Sequence, residues 1–188
     1  MGGWLVTSRT RGPGHVDPER PQRIVDAALD VIADRGVART THRAIADRAG
    51  IPLGSVTYHF ASLDDVLWAG FSQVADRVSR RFEQTMSDHA GRDPREGVTA
   101  IITEFVTEHQ VDLLLSLELY VLAARDLRYR QLMEKWQHTA RGIFAAHFDV
   151  ATARMVDALL EGLILHAALS TEPVDPEFIA ATVARVTG

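Results

Sequence analysis

The residues best equipped for chemistry in this chain lie in two short stretches, 41–43 and 53–59. Both stretches carry hydroxyl, guanidinium or imidazole groups, which are suited to hydrogen bonds with phosphate oxygens. We expect four side chains to make such contacts: Thr41, Arg43, Tyr58 and His59. Whether one phosphate backbone can meet all four depends on the elements that hold them.

Two helices are predicted between Pro21 and Gly50, and the second of them begins within the first stretch. Pro21 suits a first helical turn, and the apolar residues that follow it at helical spacing end at Gly36. Thr41 is a good N-cap for a short second helix over 42–49, which Gly50 ends. The first stretch therefore lies at the beginning of this second helix.

The second stretch is predicted to form a third short helix that runs to about Phe60. A helix-turn-helix needs a small residue where its helices touch, a turn residue that tolerates positive φ, and an apolar residue that seats the second helix. Ala46, Gly50 and Val56 meet these needs in that order. Such a unit places the start of its last helix in the DNA major groove. The base edges would then be faced by Leu53, Gly54, Ser55 and Thr57.

Residues 41–60, with the sequence THRAIADRAGIPLGSVTYHF, resemble the DNA-binding signature of the TetR family. In that signature Ala-Gly precedes a glycine-containing turn, and Tyr-x-Phe closes the recognition helix. The resemblance spans residues 22 to about 68. It implies a homodimer, an operator DNA with two-fold symmetry, and release of that DNA when a small molecule binds the C-terminal domain. The function expected is that of a transcriptional regulator, a repressor in the first instance.

Two positions depart from the family's pattern. Many members carry a lysine at the start of the fourth helix that contacts the DNA backbone, whereas Leu63 stands at the matching position here. DNA affinity would then depend more on Arg43 or on N-terminal arginines. Pro52 stands where Ser or Thr often caps the recognition helix, but proline is favoured at a helix start.

Composition sets limits on the class of protein. The chain has no cysteine, which excludes disulfides, thiolate metal sites and cysteine nucleophiles. Its net charge is −5, but residues 1–66 hold eight arginines against eight acidic residues, so the N-terminal third is the more basic part. Since no apolar run approaches the roughly 20 residues of a membrane span, we expect a soluble, cytoplasmic protein that does not bind membranes.

Hydrophobic periodicity predicts an all-α fold of about nine helices. We expect a disordered arm over 1–20, a helix-turn-helix DNA-binding domain over 21–62, and a helical ligand-sensing and dimerisation domain over 63–188. The glycine- and proline-rich arm is either a floppy tail or a basic segment that touches phosphate or the minor groove. A dimer seam is predicted along the last two helices, at Leu159, Leu163 and Ala167, with packing of this stripe on its own domain as the alternative.

Candidate ligand-binding residues are aromatic or polar groups on otherwise apolar helix faces, a mixture expected for a pocket that holds a mostly apolar effector. They are Phe105, His109, Tyr120, Trp136 and His166, and each has ordinary core packing as its alternative role. Glu118 lies in an apolar helix and would be costly to bury alone. We expect it to pair with an arginine such as Arg125 or with another polar partner, and contact with a ligand is its alternative role.

Other classes of function find little support in the sequence. No phosphate-binding glycine loop, nucleophile elbow or His-Glu-x-x-His zinc pattern is present, and no glutamate has a histidine three residues later. Glu134 and His138 could donate two metal ligands, but a solvated ion pair is the better interpretation. We therefore expect no enzyme, metal or cofactor. The alternative function is a helical binding or adaptor protein that kept the fold without operator binding.

Overall fold

The computed structural model describes residues 17–188, and this part of the chain contains nine α-helices and no strand. The helices are α1 (Arg20–Arg35), α2 (His42–Ala49), α3 (Leu53–His59), α4 (Leu63–Asp88), α5 (Pro94–Glu108), α6 (Gln110–Arg125), α7 (Leu127–Ala145), α8 (Val150–Leu169) and α9 (Pro176–Thr187), with a 3-10 turn at Val37–Arg39. The all-α prediction is confirmed. Most of the predicted N-terminal arm, residues 1–16, lies outside the described residues.

Local capping signals set the ends of the first helices. Gly36 ends α1 with φ 75° and ψ 164°, a backbone region that is essentially restricted to glycine. Thr41 caps α2 by accepting a hydrogen bond from the Ala44 amide at 3.1 Å. Gly50 ends α2 in the left-handed region at φ 65°. These boundaries are the ones that the sequence predicts.

The apolar residues form two clusters. A small one joins α1, α2 and α3 to the beginning of α4, and it consists of Ile24, Ala27, Ala28, Ile45, Ala46, Val56 and Val66. A larger one fills the space among helices α4 to α9 and also includes Leu29 and Ile32 of α1. Leu63 is half-buried and packs against both clusters. Leu63, which stands where many family members have a lysine, therefore connects the two apolar clusters.

A buried carboxylate joins α4 to α6. Asp112 is only 7% exposed and accepts hydrogen bonds from Nε of Arg77 at 3.1 Å and from Nη1 of Arg81 at 2.8 Å. Burial alone would raise the pKa of Asp112, but the two guanidinium groups outweigh it and hold the pKa below its usual range. The charged carboxylate is thus the stable form in the folded protein.

Asp112→Ala is expected to lower the free energy of unfolding at pH 7 by about 2–4 kcal/mol, because it leaves two partly buried arginines without their partner. The pKa of Asp112 is lowered on folding, so its stabilisation is present above the unfolded-state pKa and is lost as pH falls through the lowered value. Urea unfolding measures the loss. Asp76→Ala, at an exposed position of α4, is the control and should change stability by less than about 0.5 kcal/mol. Equal losses in the two variants would contradict the role given to Asp112.

Candidate DNA-binding and ligand-binding sites

The start of α3 is held against the small apolar cluster by one residue. Val56 is fully buried, and Ala46 of α2 is 2% exposed where the two helices meet. On the other side of α3, Tyr58 is 84% exposed, and Leu53 at the first position of the helix is 41% exposed. The sequence-predicted helix-turn-helix therefore presents one face to the core and the opposite face to solvent.

The residues predicted to contact DNA lie on this outer face and beside it. Thr41, Arg43, Gly54 and Thr57 are exposed, as are Leu53 and Tyr58, whereas Ser55 and His59 are half-buried. The rings of Tyr58 and His59 meet edge to face with centroids 5.1 Å apart. Thr57 Oγ1 donates a hydrogen bond to the Gly54 carbonyl at 3.3 Å. Their contacts with bases and phosphates stay predictions.

Arg43 differs from Arg23 and Arg48 in its surroundings. Arg48 forms ion pairs with Asp30 and Asp34 of α1, and Arg23 forms one with Asp17. Within residues 17–188, no carboxylate lies at ion-pair distance from Arg43. Its guanidinium group is thus available to a phosphate, and the contact itself stays a prediction.

A narrow cavity lies among α4, α5, α6, α7 and α8. Its volume is about 30 Å³, room for about one water molecule. Most of its wall is apolar, with aromatic rings from Phe82, Phe105, Tyr120 and Trp136. Three of the five residues predicted to bind a ligand, those at 105, 120 and 136, are therefore brought together in one place.

The other two candidates do not line this cavity. His109 lies at the junction of α5 and α6, with its ring centroid 6.5 Å from that of Phe105. His166 is exposed on α8 and borders a separate groove, which also includes Phe178 of α9. Neither histidine therefore lines the cavity that the three aromatic residues share, although the His109 ring lies beside Phe105.

Two carboxylates of the cavity were not singled out in the sequence analysis. Asp157 and Glu161 lie one turn apart on α8 and both border the cavity. Asp157 accepts a hydrogen bond from Nε of Arg141 at 2.7 Å, and Glu161 accepts one from the Gln137 amide at 3.2 Å. Their spacing, i and i+4 within an otherwise apolar helix, was the signal that could have identified them.

Burial has the largest influence on the pKa values of Glu161 and Tyr120, which border the cavity. Desolvation raises the pKa of Glu161, and the charge of Asp157 raises it further. The bond from Gln137 and the charge of Arg141 offset only part of the change. Desolvation also raises the pKa of Tyr120, and the charges of Glu161 and Asp157 add to the effect. The phenol at 120 therefore stays neutral at physiological pH.

Two helices that line the cavity also contact the DNA-binding unit. Glu118 of α6 accepts a hydrogen bond from the Val37 amide at 3.1 Å, just beyond α1. The partner of this carboxylate is therefore a polar group other than Arg125, the backbone amide at 37. A Cβ atom at Gly36 would lie 2.9 Å from Oε1 of Glu118, so only glycine permits this close approach.

The second contact runs from α7 to the beginning of α4. Arg128 forms ion pairs with Asp64 and Asp65, and Tyr129 donates a hydrogen bond to Asp64. The Arg128 guanidinium also lies 4.8 Å from the ring centroid of Trp68. Both α6 and α7 can therefore pass a displacement at the cavity wall to the elements that hold α3.

An apolar stripe runs along the outer face of α8. Its exposed members recur at helical spacing and include Met155, Ala158, Leu165 and Leu169, and Phe178 of α9 is 59% exposed. The seam predicted at Leu159, Leu163 and Ala167 is displaced from this stripe, since those three residues are half-buried and pack against the chain's own core. The exposed stripe and the predicted seam therefore lie side by side around the axis of α8, and a rotation of about one residue position relates them.

None of the helices described between residues 17 and 188 is both long and apolar enough to cross a membrane. In the same part of the chain, no three His, Asp or Glu side chains cluster as a metal site would require.

Comparison with known proteins finds regulators of transcription. Residues 24–69 match the model of a family described as bacterial regulatory proteins, tetR family. The HTH-type transcriptional regulator PksA of Bacillus subtilis (strain 168) is 28% identical over an alignment that covers 89% of this chain and 88% of PksA. Two solved structures are more similar still in sequence.

The first of these is SCO7518 of Streptomyces coelicolor A3(2), described as a transcriptional regulator. It is 44% identical, with a TM-score of 0.84 over 90% of this chain and 99% of its own. The second is the multidrug binding protein EbrR complexed with imidazole, which is 34% identical, with a TM-score of 0.79 over 92% of this chain and 97% of its own. Other EbrR structures hold malachite green or ethidium.

Proposed function

The chain belongs to the TetR family of bacterial regulatory proteins, and we propose that it is a dimeric repressor whose operator is released when a small molecule enters the cavity. Residues 21–62 would form the DNA-binding domain, and residues 63–188 the sensing and dimerisation domain. As a regulator of bacterial transcription it would act in the cytoplasm. The observation that carries the proposal is the exposed outer face of α3, with Tyr58 84% exposed opposite the fully buried Val56.

Sequence-specific binding to an operator favours a dimer of this chain. One helix-turn-helix contacts few base pairs, whereas two placed about 34–36 Å apart reach successive major grooves. The exposed stripe of Met155, Leu165, Leu169 and Phe178 on α8 and α9 supplies apolar surface for such pairing. Closed two-fold symmetry is also the commonest way in which soluble chains associate.

The small size of the cavity supports release by a ligand. A volume of about 30 Å³ cannot hold an effector of ten or more non-hydrogen atoms unless the wall moves. Tyr120 of α6 and Trp136 of α7 form part of that wall, and the same two helices hold the DNA-binding unit at Val37 and Asp64. A ligand that forces the wall outward would therefore change the positions of the two recognition helices.

Arg43→Ala and Thr57→Ala are expected to affect DNA binding in different ways. Loss of Arg43 removes a phosphate contact, so affinity should fall by a similar factor, about 5–20-fold, for every operator variant and with a shallower salt dependence. Loss of Thr57 removes a base contact, so its effect should be confined to one operator position and amount to about 1–3 kcal/mol there. Fluorescence anisotropy with single-base operator variants at several salt concentrations measures both.

The operator itself can be found by selecting bound fragments from a pool of genomic DNA at near-physiological salt. Recovery of a two-fold symmetric motif supports the regulator, and steep weakening with salt identifies phosphate contacts. If a folded dimer enriches no sequence, the function to consider is the helical adaptor. Equal losses across all operator variants for both substitutions would remove the roles given to Arg43 and Thr57.

A further inference from the structure

We infer that the cavity recognises a compact organic cation, with Glu161 as its counter-ion and aromatic rings around its body. The inference rests on the proposed function only in that it uses the same cavity; it names the chemical class of the effector. It follows from the charges, the hydrogen bonds and the wall of the cavity.

The charges around the cavity leave one carboxylate without a cationic partner. Asp157 is 3% exposed, and its charge is matched by Arg141 at 2.7 Å. Glu161 is half-buried, and Gln137 is its only hydrogen-bonding partner among residues 17–188. An amide offers a dipole and no charge, so one negative charge at the cavity remains uncompensated. A cation in the cavity would supply the missing charge.

The hydrogen-bonding groups disfavour an anionic ligand. Side-chain donors elsewhere in the wall are the uncharged groups of Ser116, Tyr120 and Trp136. The Gln137 amide and the Arg141 guanidinium already donate to the two carboxylates. An anion placed here would meet Glu161 at close range and would have to displace these donors. Repulsion between like charges in an apolar surrounding is strong, so the cavity selects against anions as well as for cations.

The remainder of the wall suits the body of an organic cation. Rings of Phe82, Phe105, Tyr120 and Trp136 contribute to it, and tryptophan and tyrosine faces attract cations that have lost their water. An inorganic ion would leave the aromatic and aliphatic part of the wall without a partner. An alkylammonium or aromatic cation is matched to both parts of the wall.

The test uses phenyltrimethylammonium and its uncharged isostere tert-butylbenzene, in which a carbon atom replaces the positively charged nitrogen. Purified protein without DNA is titrated with each compound, and binding is followed by ligand-detected NMR. Because the isostere is easier to desolvate, an apolar cavity without a counter-ion would favour it. We expect the cation to bind at least ten-fold more tightly than the isostere.

Glu161→Gln keeps the shape of the side chain and removes its charge. It should weaken phenyltrimethylammonium binding at least ten-fold and leave tert-butylbenzene binding within two-fold. Glu134→Gln, at an exposed position of α7 outside the cavity, is the matched control and should change neither. Thermal unfolding of both variants checks that they fold as the parent does.

The pH dependence gives a second measurement. Phenyltrimethylammonium carries a permanent charge, so only the protein titrates. The groups that face Glu161 are Asp157 on its own helix, Arg141 and Gln137 on α7, and Tyr120 on α6. Protonation of Glu161 should weaken binding of the cation, and this should begin at a higher pH than for an ordinary glutamate because the pKa of Glu161 is raised.

Preferential binding of tert-butylbenzene, or an unchanged cation affinity in Glu161→Gln, would overturn the inference. Because no DNA is present, these results are independent of operator release. If the cation binds through Glu161 and leaves operator affinity unchanged, the inference stands and the proposed release by ligand fails. If operator is released by a compound that binds equally to the parent and to Glu161→Gln, the proposed function stands and the inference fails.

Discussion

A variant with glutamate at both Met155 and Phe178 is expected to be a monomer and to bind operator about 10²–10⁴-fold more weakly than the parent. Both side chains are exposed, 48% and 59% respectively, so the change should leave the fold of each chain intact. In a two-fold interface each substitution appears twice, which places four carboxylates in an apolar contact. Without the partner, each helix-turn-helix binds alone and loses the effective concentration that the dimer provides.

Sedimentation velocity measures the association, and fluorescence anisotropy measures operator affinity. Val111→Glu is the matched control, because Val111 is 57% exposed on α6 and is not part of the stripe on α8 and α9. It should remain dimeric with operator affinity within about two-fold. A dimeric double variant with full affinity would place the subunit interface elsewhere on the surface.

Local signals in the sequence were enough for the DNA-binding unit. Gly36, Thr41 and Gly50 act through backbone conformation or through a hydrogen bond three residues away, so their effects are readable from neighbouring residues. The burial of Val56 and the exposure of Tyr58 follow from helical periodicity alone. This part of the fold was therefore predicted to within a residue or two.

Contacts between distant parts of the chain were not predictable in the same way. The partner of Glu118 lies 81 positions away and is a backbone amide, which carries no sequence signature. Periodicity placed Trp136 and Tyr120 toward the core, but it could not decide that His109 lies at a helix junction. The position of a side chain around the helix decides such questions, and neighbouring helices set that position only in the folded chain.

Helical spacing also could not predict which apolar residues of α8 are exposed. Leu159 and Leu163 satisfy helical spacing as well as Met155 does, and only the packing of α8 on the core determines which of them remains exposed. The carboxylates of this helix were overlooked because the stripe was interpreted by its apolar members. Two acidic residues one turn apart in such a helix indicate buried negative charge, which needs a positively charged or hydrogen-bonding partner.

Glu118→Ala is expected to separate ligand binding from operator release. In the parent, saturating phenyltrimethylammonium should weaken operator binding by about 5–150-fold, the usual range of coupling between two sites. In Glu118→Ala this ratio should fall below about three-fold, because α6 no longer holds the Val37 amide that follows α1. Glu118 does not line the cavity, so the affinity for the cation without DNA should be unchanged.

Glu118→Gln is the control that isolates the hydrogen bond. Its side-chain carbonyl can still accept from the Val37 amide, so most of the coupling should remain although the charge is gone. Full coupling in Glu118→Ala would assign the transmission to the other contact, between Arg128 on α7 and the two aspartates at the start of α4. Loss of coupling in both variants would mean that the charge of Glu118, and not its acceptor oxygen, is what α1 senses.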